Sequence, residues 1–151
     1  MKRYCPYRKF PPYKYLPGKN PDPIRKGGYR ESKKDPMATA ITRNNYQDNE
    51  NYRFAIDLTN YGYYWEAHLY YEALWNAHKR KGSIADFFKA MIKMVTSSFK
   101  EEAGKIESSG RLLEGTLSLL NSLPADFNLG INISELRNQL NTRDKIHIVF
   151  E

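Results

Sequence analysis

The 151-residue chain has a single cysteine and only three histidines. One thiol, Cys5, excludes an internal disulfide and a four-cysteine zinc site, and its place in a proline-rich stretch makes it incidental to the fold. Also missing is an apolar run long enough to cross a bilayer. The basic N-terminus leads into prolines, tyrosines and lysines instead of an apolar segment, so it does not read as a signal peptide. A cytoplasmic protein without membrane attachment is the expectation. No GxxxxGK[ST] phosphate loop, GxGxxG turn or paired CxxC occurs, which removes the common nucleotide and redox signatures. Acidic residues are scarce at one end: residues 1–36 hold 11 Lys and Arg against Asp22, Glu31 and Asp35 alone. The other 115 residues are close to neutral, so the formal charge of +7 describes a basic arm on a neutral body.

That arm carries most of the prolines and no helical periodicity. Pro11-Pro12 favours polyproline II and Pro17-Gly18 a tight turn. Tyr4, Tyr7, Phe10, Tyr13, Tyr15 and Leu16 are too many apolar groups for a disordered tail. Much of the arm, residues 10–24 above all, should therefore lie across the body. We divide the chain into an extended Pro/Tyr/Lys-rich arm, 1–47, packed partly on a helical domain, 48–151.

Within the body the apolar spacing predicts about five helices in an all-α antiparallel bundle. Tyr52, Ala55, Ile56 and Leu58 mark a short amphipathic helix that ends near Asn60-Tyr61-Gly62. A second runs from about Tyr63 to Lys81 and stops at Gly82, with Ser83 as the next N-cap and Asp86 three residues on. The third, about Ile84 to Ala103, buries Phe87, Phe88, Met91 and Val95, and the fourth, about Ser108 to Leu123, repeats the pattern up to Pro124. Asn132 and Glu135 begin a short fifth helix. Ile146 to Phe150 alternates like a strand that has no evident partner.

Chemistry concentrates in the second helix. Tyr61 to Trp75 contains both tryptophans, five tyrosines, Glu66, Glu72 and His68. Trp65, His68, Glu72 and Trp75 fall on one stripe that we read as facing inward, with Tyr64 beside it and Glu66 directed at another neighbour. His68 and Glu72 are one turn apart, close enough to share a hydrogen bond or a ligand. They do not make an HExxH zinc motif, since Leu69 follows His68, and His78 stands about 15 Å along the axis. No metal or cofactor is expected. The reading chosen is a non-enzymatic helical binding or scaffold protein, with Tyr64, Trp65, Glu66, His68, Glu72 and Trp75 forming a structural network or a small pocket for a small molecule or protein partner. Two alternatives stay open: a hydrolase or transferase using His68 and Glu72, and nucleic-acid binding through the arm, with Arg3, Arg8, Lys9 and Lys14 on phosphates.

The run from Asn60 through Gly62, Tyr64, Trp65, Glu66, Ala67 and His68 to Glu72 and Trp75 resembles the DUF309 family of small helical proteins, over residues 52–140 or so. Pro11-Pro12-Tyr13-Lys14-Tyr15-Leu16-Pro17-Gly18 is similar to an N-terminal extension of some members. The resemblance implies an all-α fold and a polar-aromatic patch around Glu66, His68, Glu72 and Trp75, and it implies no reaction. The chain departs from the common pattern at Leu69, often acidic, and at Ala90 and Lys93, often Gly and Gln. Asp22-Pro23 and Gly27-Gly28-Tyr29 replace histidine-containing forms of the extension.

Overall fold

The computed structural model describes all residues from Met1 to Glu151 and is all-α. Five helices follow a single 3₁₀ turn, Tyr46–Asp48: α1 (Glu50–Asn60), α2 (Tyr64–Ala77), α3 (Ser83–Glu102), α4 (Ile106–Asn121) and α5 (Ile133–Thr142). Short turns join α1 to α2, α2 to α3 and α3 to α4 in antiparallel succession, and the longer segment 122–132 leads to α5. α3 packs between α2 and α4, α1 lies on α2, and α5 touches α4 more lightly. No helix is long and apolar enough to cross a membrane.

Local chemistry sets most of the ends. The Asn49 side chain caps α1 by accepting the Tyr52 N–H, and Asn132 caps α5 by accepting that of Glu135. α1 closes through Gly62, whose φ of +83° lets the Tyr63 N–H reach back to the Leu58 carbonyl at 2.8 Å. Two expected boundaries move. α2 ends at Ala77 rather than Lys81, because Lys79 and Arg80 both turn left-handed, at φ +55° and +58°. Ser83 is the first residue of α3 and not its cap; Gly82 at φ +93° takes the capping position and offers no side chain.

The core is aromatic where α1, α2 and α3 meet. Tyr52, Tyr71, Phe87 and Phe88 are fully buried with Met91 and Met94, and Tyr52 meets Phe88 edge-on at 5.4 Å between ring centres. The Tyr71 hydroxyl pairs with Thr59 at 2.8 Å and that of Tyr52 donates to the Leu129 carbonyl at 2.7 Å, so both phenols are satisfied inside. Burial pushes the Tyr52 and Tyr71 hydroxyls well above the usual tyrosine range.

An amphipathic α1 was the expectation, yet every residue from Phe54 to Asn60 is buried. The arm covers one side of this helix and the C-terminal segment another. Asn60 holds that segment at both ends of its amide, donating to the Ile148 carbonyl at 2.8 Å and accepting the Ile148 N–H at 2.7 Å. The strand-like alternation of Ile146 to Phe150 finds one backbone partner, an antiparallel bridge between Phe150 and Ile131. Cys5 is likewise not incidental: it is fully buried in the core beneath the arm.

The segment joining arm to body is tied by imidazole. His78 Nε2 accepts the Ile41 N–H at 3.0 Å, and burial lowers the His78 pKa below its ordinary 6.5. An accepting nitrogen must be unprotonated. Above pH 6.5 the folded and unfolded chains both carry neutral His78; below it the unfolded chain takes up a proton that the folded chain resists, so stability falls until the folded value is passed. Urea unfolding between about pH 7.5 and 5.5 should show this loss, and His78→Gln, which keeps an acceptor without a titration, should lose less. Equal pH dependence in the two chains would contradict the assignment.

Candidate functional site

Two carboxylates are buried on the α1–α2 hairpin, and both find their partners in the arm. Asp57, with no exposed surface, accepts the Arg3 Nε–H at 2.9 Å and the backbone N–H groups of Tyr4 and Cys5 at 2.7 and 2.8 Å. Three donors, one of them charged, neutralise it and fill its lone pairs. Glu66 is 5% exposed and accepts the Tyr29 hydroxyl and the Arg30 guanidinium, each at 2.5 Å. Burial first, and then the hydrogen bond and charge of Glu66, push the Tyr29 hydroxyl well above the usual range, which keeps it a neutral donor.

A tight loop aims these donors. The Arg30 N–H reaches the Pro23 carbonyl at 2.8 Å, and a Cβ on Gly28 would stand 2.1 Å from the Asp22 carbonyl oxygen. Only glycine lets the chain fold back here, and the reversal delivers Tyr29 and Arg30 side by side to α2. Tyr13 packs edge-on against Tyr29 at 4.9 Å, and Arg30 also donates to the Lys34 carbonyl at 2.9 Å.

The stripe read as inward is the less buried side of α2. Tyr64, Glu66, Ala67, Tyr70, Tyr71 and Leu74 are buried, whereas Trp65, His68, Glu72 and Trp75 are half-buried. His68 and Glu72 do not pair. The imidazole turns its Nδ1 to the carbonyl of Trp65, and the Glu72 carboxylate has neither a hydrogen bond nor an ion pair. Trp65 meets His68 and Tyr15 edge-on, and Trp75 lies under the Arg80 guanidinium at 4.4 Å. Tyr64 is buried, and that burial raises its hydroxyl pKa. The apolar pattern misled because α2 is enclosed on several sides, by α1, α3 and the arm, so no single stripe marks its interior.

Of the four cations read as phosphate contacts, two are turned inward. Arg3 is bound to Asp57 and packs over Phe10 at 3.9 Å; Arg8 donates to Asn51 and to the Tyr70 hydroxyl and lies over Phe54 at 4.2 Å. Lys9 is exposed, and Lys14 is exposed with its Nζ 5.3 Å from the centre of the Tyr63 ring. Sequence reading passed over Asp57 altogether, although a lone carboxylate inside Phe54-Ala55-Ile56-Asp57-Leu58 is a signal of a buried charge needing a cation. Arg30 was grouped with the other arm cations, and nothing in its local sequence distinguishes it.

The chain has no cluster of three or more His, Cys, Asp and Glu side chains able to hold a metal ion. At Glu66 the place of a cation is taken by Arg30. Four cavities of about 50, 230, 310 and 690 Å³ are lined by no residue from Tyr64 to Trp75; that of about 690 Å³ lies between the end of α4, the start of α5 and the C-terminal segment.

Residues 52–112 match a family model described as a domain of unknown function, DUF309. The match takes in α1, α2, α3 and the first part of α4, including both buried carboxylates. No curated protein and no solved structure matches the chain.

The geometry ranks the side chains of α2 by consequence. Glu66→Ala strands Arg30 in the interior and should lower the unfolding free energy by about 3 kcal/mol. Glu72→Gln removes no contact and should change it by less than about 0.5 kcal/mol. Urea denaturation of the two variants measures both, and equal effects would contradict this ranking.

Proposed function

We propose that this protein is a non-enzymatic helical scaffold in which α2 is the receptor for the chain's own arm. The observation that carries the reading is the commitment of Glu66, the one buried acid of α2, to Tyr29 and Arg30. An acid held between a guanidinium and a neutral phenol is neither a free base nor an open ligand. General acid-base chemistry needs a titrating group within reach of a substrate. His68 and Glu72, the pair on which a hydrolase or transferase would rest, are unpaired with each other and line none of the four cavities described above.

On this reading the run from Asn60 to Trp75 is a folding signature. Asn60 holds the C-terminal segment, Gly62 makes the turn, Tyr70 and Glu66 hold the arm, and Tyr71 seals the core. We read the same run, with the Pro11–Gly18 extension, as the feature shared with DUF309 proteins. The nucleic-acid alternative loses support from Arg3 and Arg8, whose charges are spent on internal partners. A cytoplasmic setting suits a chain whose one thiol is buried and unpaired.

Removing the arm tests the scaffold reading. A chain beginning at Met37 leaves Asp57 and Glu66 without partners, and it should unfold at markedly lower urea concentration and bind a hydrophobic dye that the full chain does not. An arm-deleted body as stable as the full chain would refute the reading. So would a substrate turned over by the full chain and lost in both His68→Ala and Glu72→Gln.

A further inference from the structure

A groove at the end of α4 carries main-chain groups that have no hydrogen-bond partner. The groove of about 690 Å³ adjoins a second of about 310 Å³, and the two share Ile131, Asn132, Glu135 and Val149. Ile131 is only 6% exposed, yet neither its N–H nor its carbonyl makes a hydrogen bond. Its bridge to Phe150 is completed by its neighbour, through the Glu151 N–H on the Gly130 carbonyl at 2.8 Å. The Val149 N–H is also free, and the Val149 side chain is 58% exposed over the groove. Unpaired main-chain groups on an extended segment are the template on which another strand adds.

The charge around this groove is opposite to that of the chain. Asp126, Glu135 and Glu151 line it, and Arg137 is the one cation that does. Arg137 is turned aside to Asn121 and Ser134, at 3.3 Å each, and Asp126 is shared with Arg43 at 3.5 Å. Glu135 and Glu151 have no cationic partner. The half-buried Leu123 and Phe127 and the exposed Val149 supply apolar surface between them.

We propose that this groove docks an extended segment of a partner protein in which apolar side chains alternate with Lys or Arg. The partner's backbone pairs with Ile131, an apolar side chain settles against Val149 and Phe127, and flanking cations meet Glu135 and Glu151. Pairing of the main chain supplies the hold, while the alternation and the charge supply the selection. This site is independent of the arm and of the scaffold reading.

The test uses the full chain and two acetylated, amidated hexapeptides, Lys-Val-Lys-Val-Lys-Val and its Glu-Val counterpart, followed by amide NMR. The basic peptide should saturate below about 1 mM and shift the amides of Ile131, Asn132 and Val149 and their neighbours. The acidic peptide should not bind. Glu135→Gln, which keeps a side chain favoured at the start of α5, and Val149→Arg, both at exposed side chains, should each weaken binding several-fold without lowering the thermal midpoint. No shift at about 1 mM, equal shifts from the two peptides, or shifts spread over the surface would overturn the proposal. Shifts at these amides that grow with protein concentration alone would overturn it too, because a second copy of the chain would then fill the groove.

Discussion

Two carboxylates buried in a helical hairpin, Asp57 on α1 and Glu66 on α2, set the terms for the rest of this molecule. A charge removed from water costs several kcal/mol unless opposite charge and hydrogen-bond donors meet it. Neither helix supplies them to its own carboxylate: Arg53, one turn before Asp57, donates to the Tyr4 carbonyl and the Tyr7 hydroxyl instead. The partner groups come from residues 3–5 and 29–30, which reach Asp57 and Glu66 across 36 to 54 positions of chain. The arm is thereby part of the interior. Its aromatic groups then pack where the carboxylates have anchored it, with Phe10 against Tyr63 at 4.7 Å and Tyr15 against Trp65 at 5.8 Å.

This arrangement reverses the meaning of the basic composition. A surplus of cations in the first 36 residues looks like a surface for phosphates. Three of its arginines, Arg3, Arg8 and Arg30, serve the inside of the protein: two neutralise the buried acids, and the third joins Asn51 and Tyr70. Arginine suits that task better than lysine, because its planar fork can serve a carboxylate and a carbonyl together, as Arg3 does with Asp57 and the Arg8 carbonyl. The positive charge left outside belongs to Arg25 and to lysines such as Lys9 and Lys14.

What could be read from the residues alone follows the range of each interaction. Five helices were legible because apolar periodicity and caps act within a few positions, as at Asn132 and Glu135. The end of α2 was not, since two non-glycine residues in the left-handed region carry no local mark. That the arm lies on the body was legible from Tyr13, Tyr15 and Phe10, but its attachment was not. The partner of Glu66 lies 36 residues away and could have been any of several cations. The stripe of Trp65, His68, Glu72 and Trp75 was misjudged for a related reason: a 3.6-residue period identifies an interior only when one side of a helix is covered. Within that run Glu66 turns to a neighbour other than its own helix, and the neighbour is the arm.

The most direct measurement is a double-mutant cycle across Arg30 and Glu66, with unfolding free energies for the native chain, Arg30→Met, Glu66→Leu and the pair. If Glu66 needs the arm's cation, each single change leaves an unmatched buried charge and costs about 3 kcal/mol, while the double change recovers most of it, giving a coupling of about 3 kcal/mol. Single effects that simply add, with coupling near zero, would show that the arm is not held to α2 by this pair and would contradict the account.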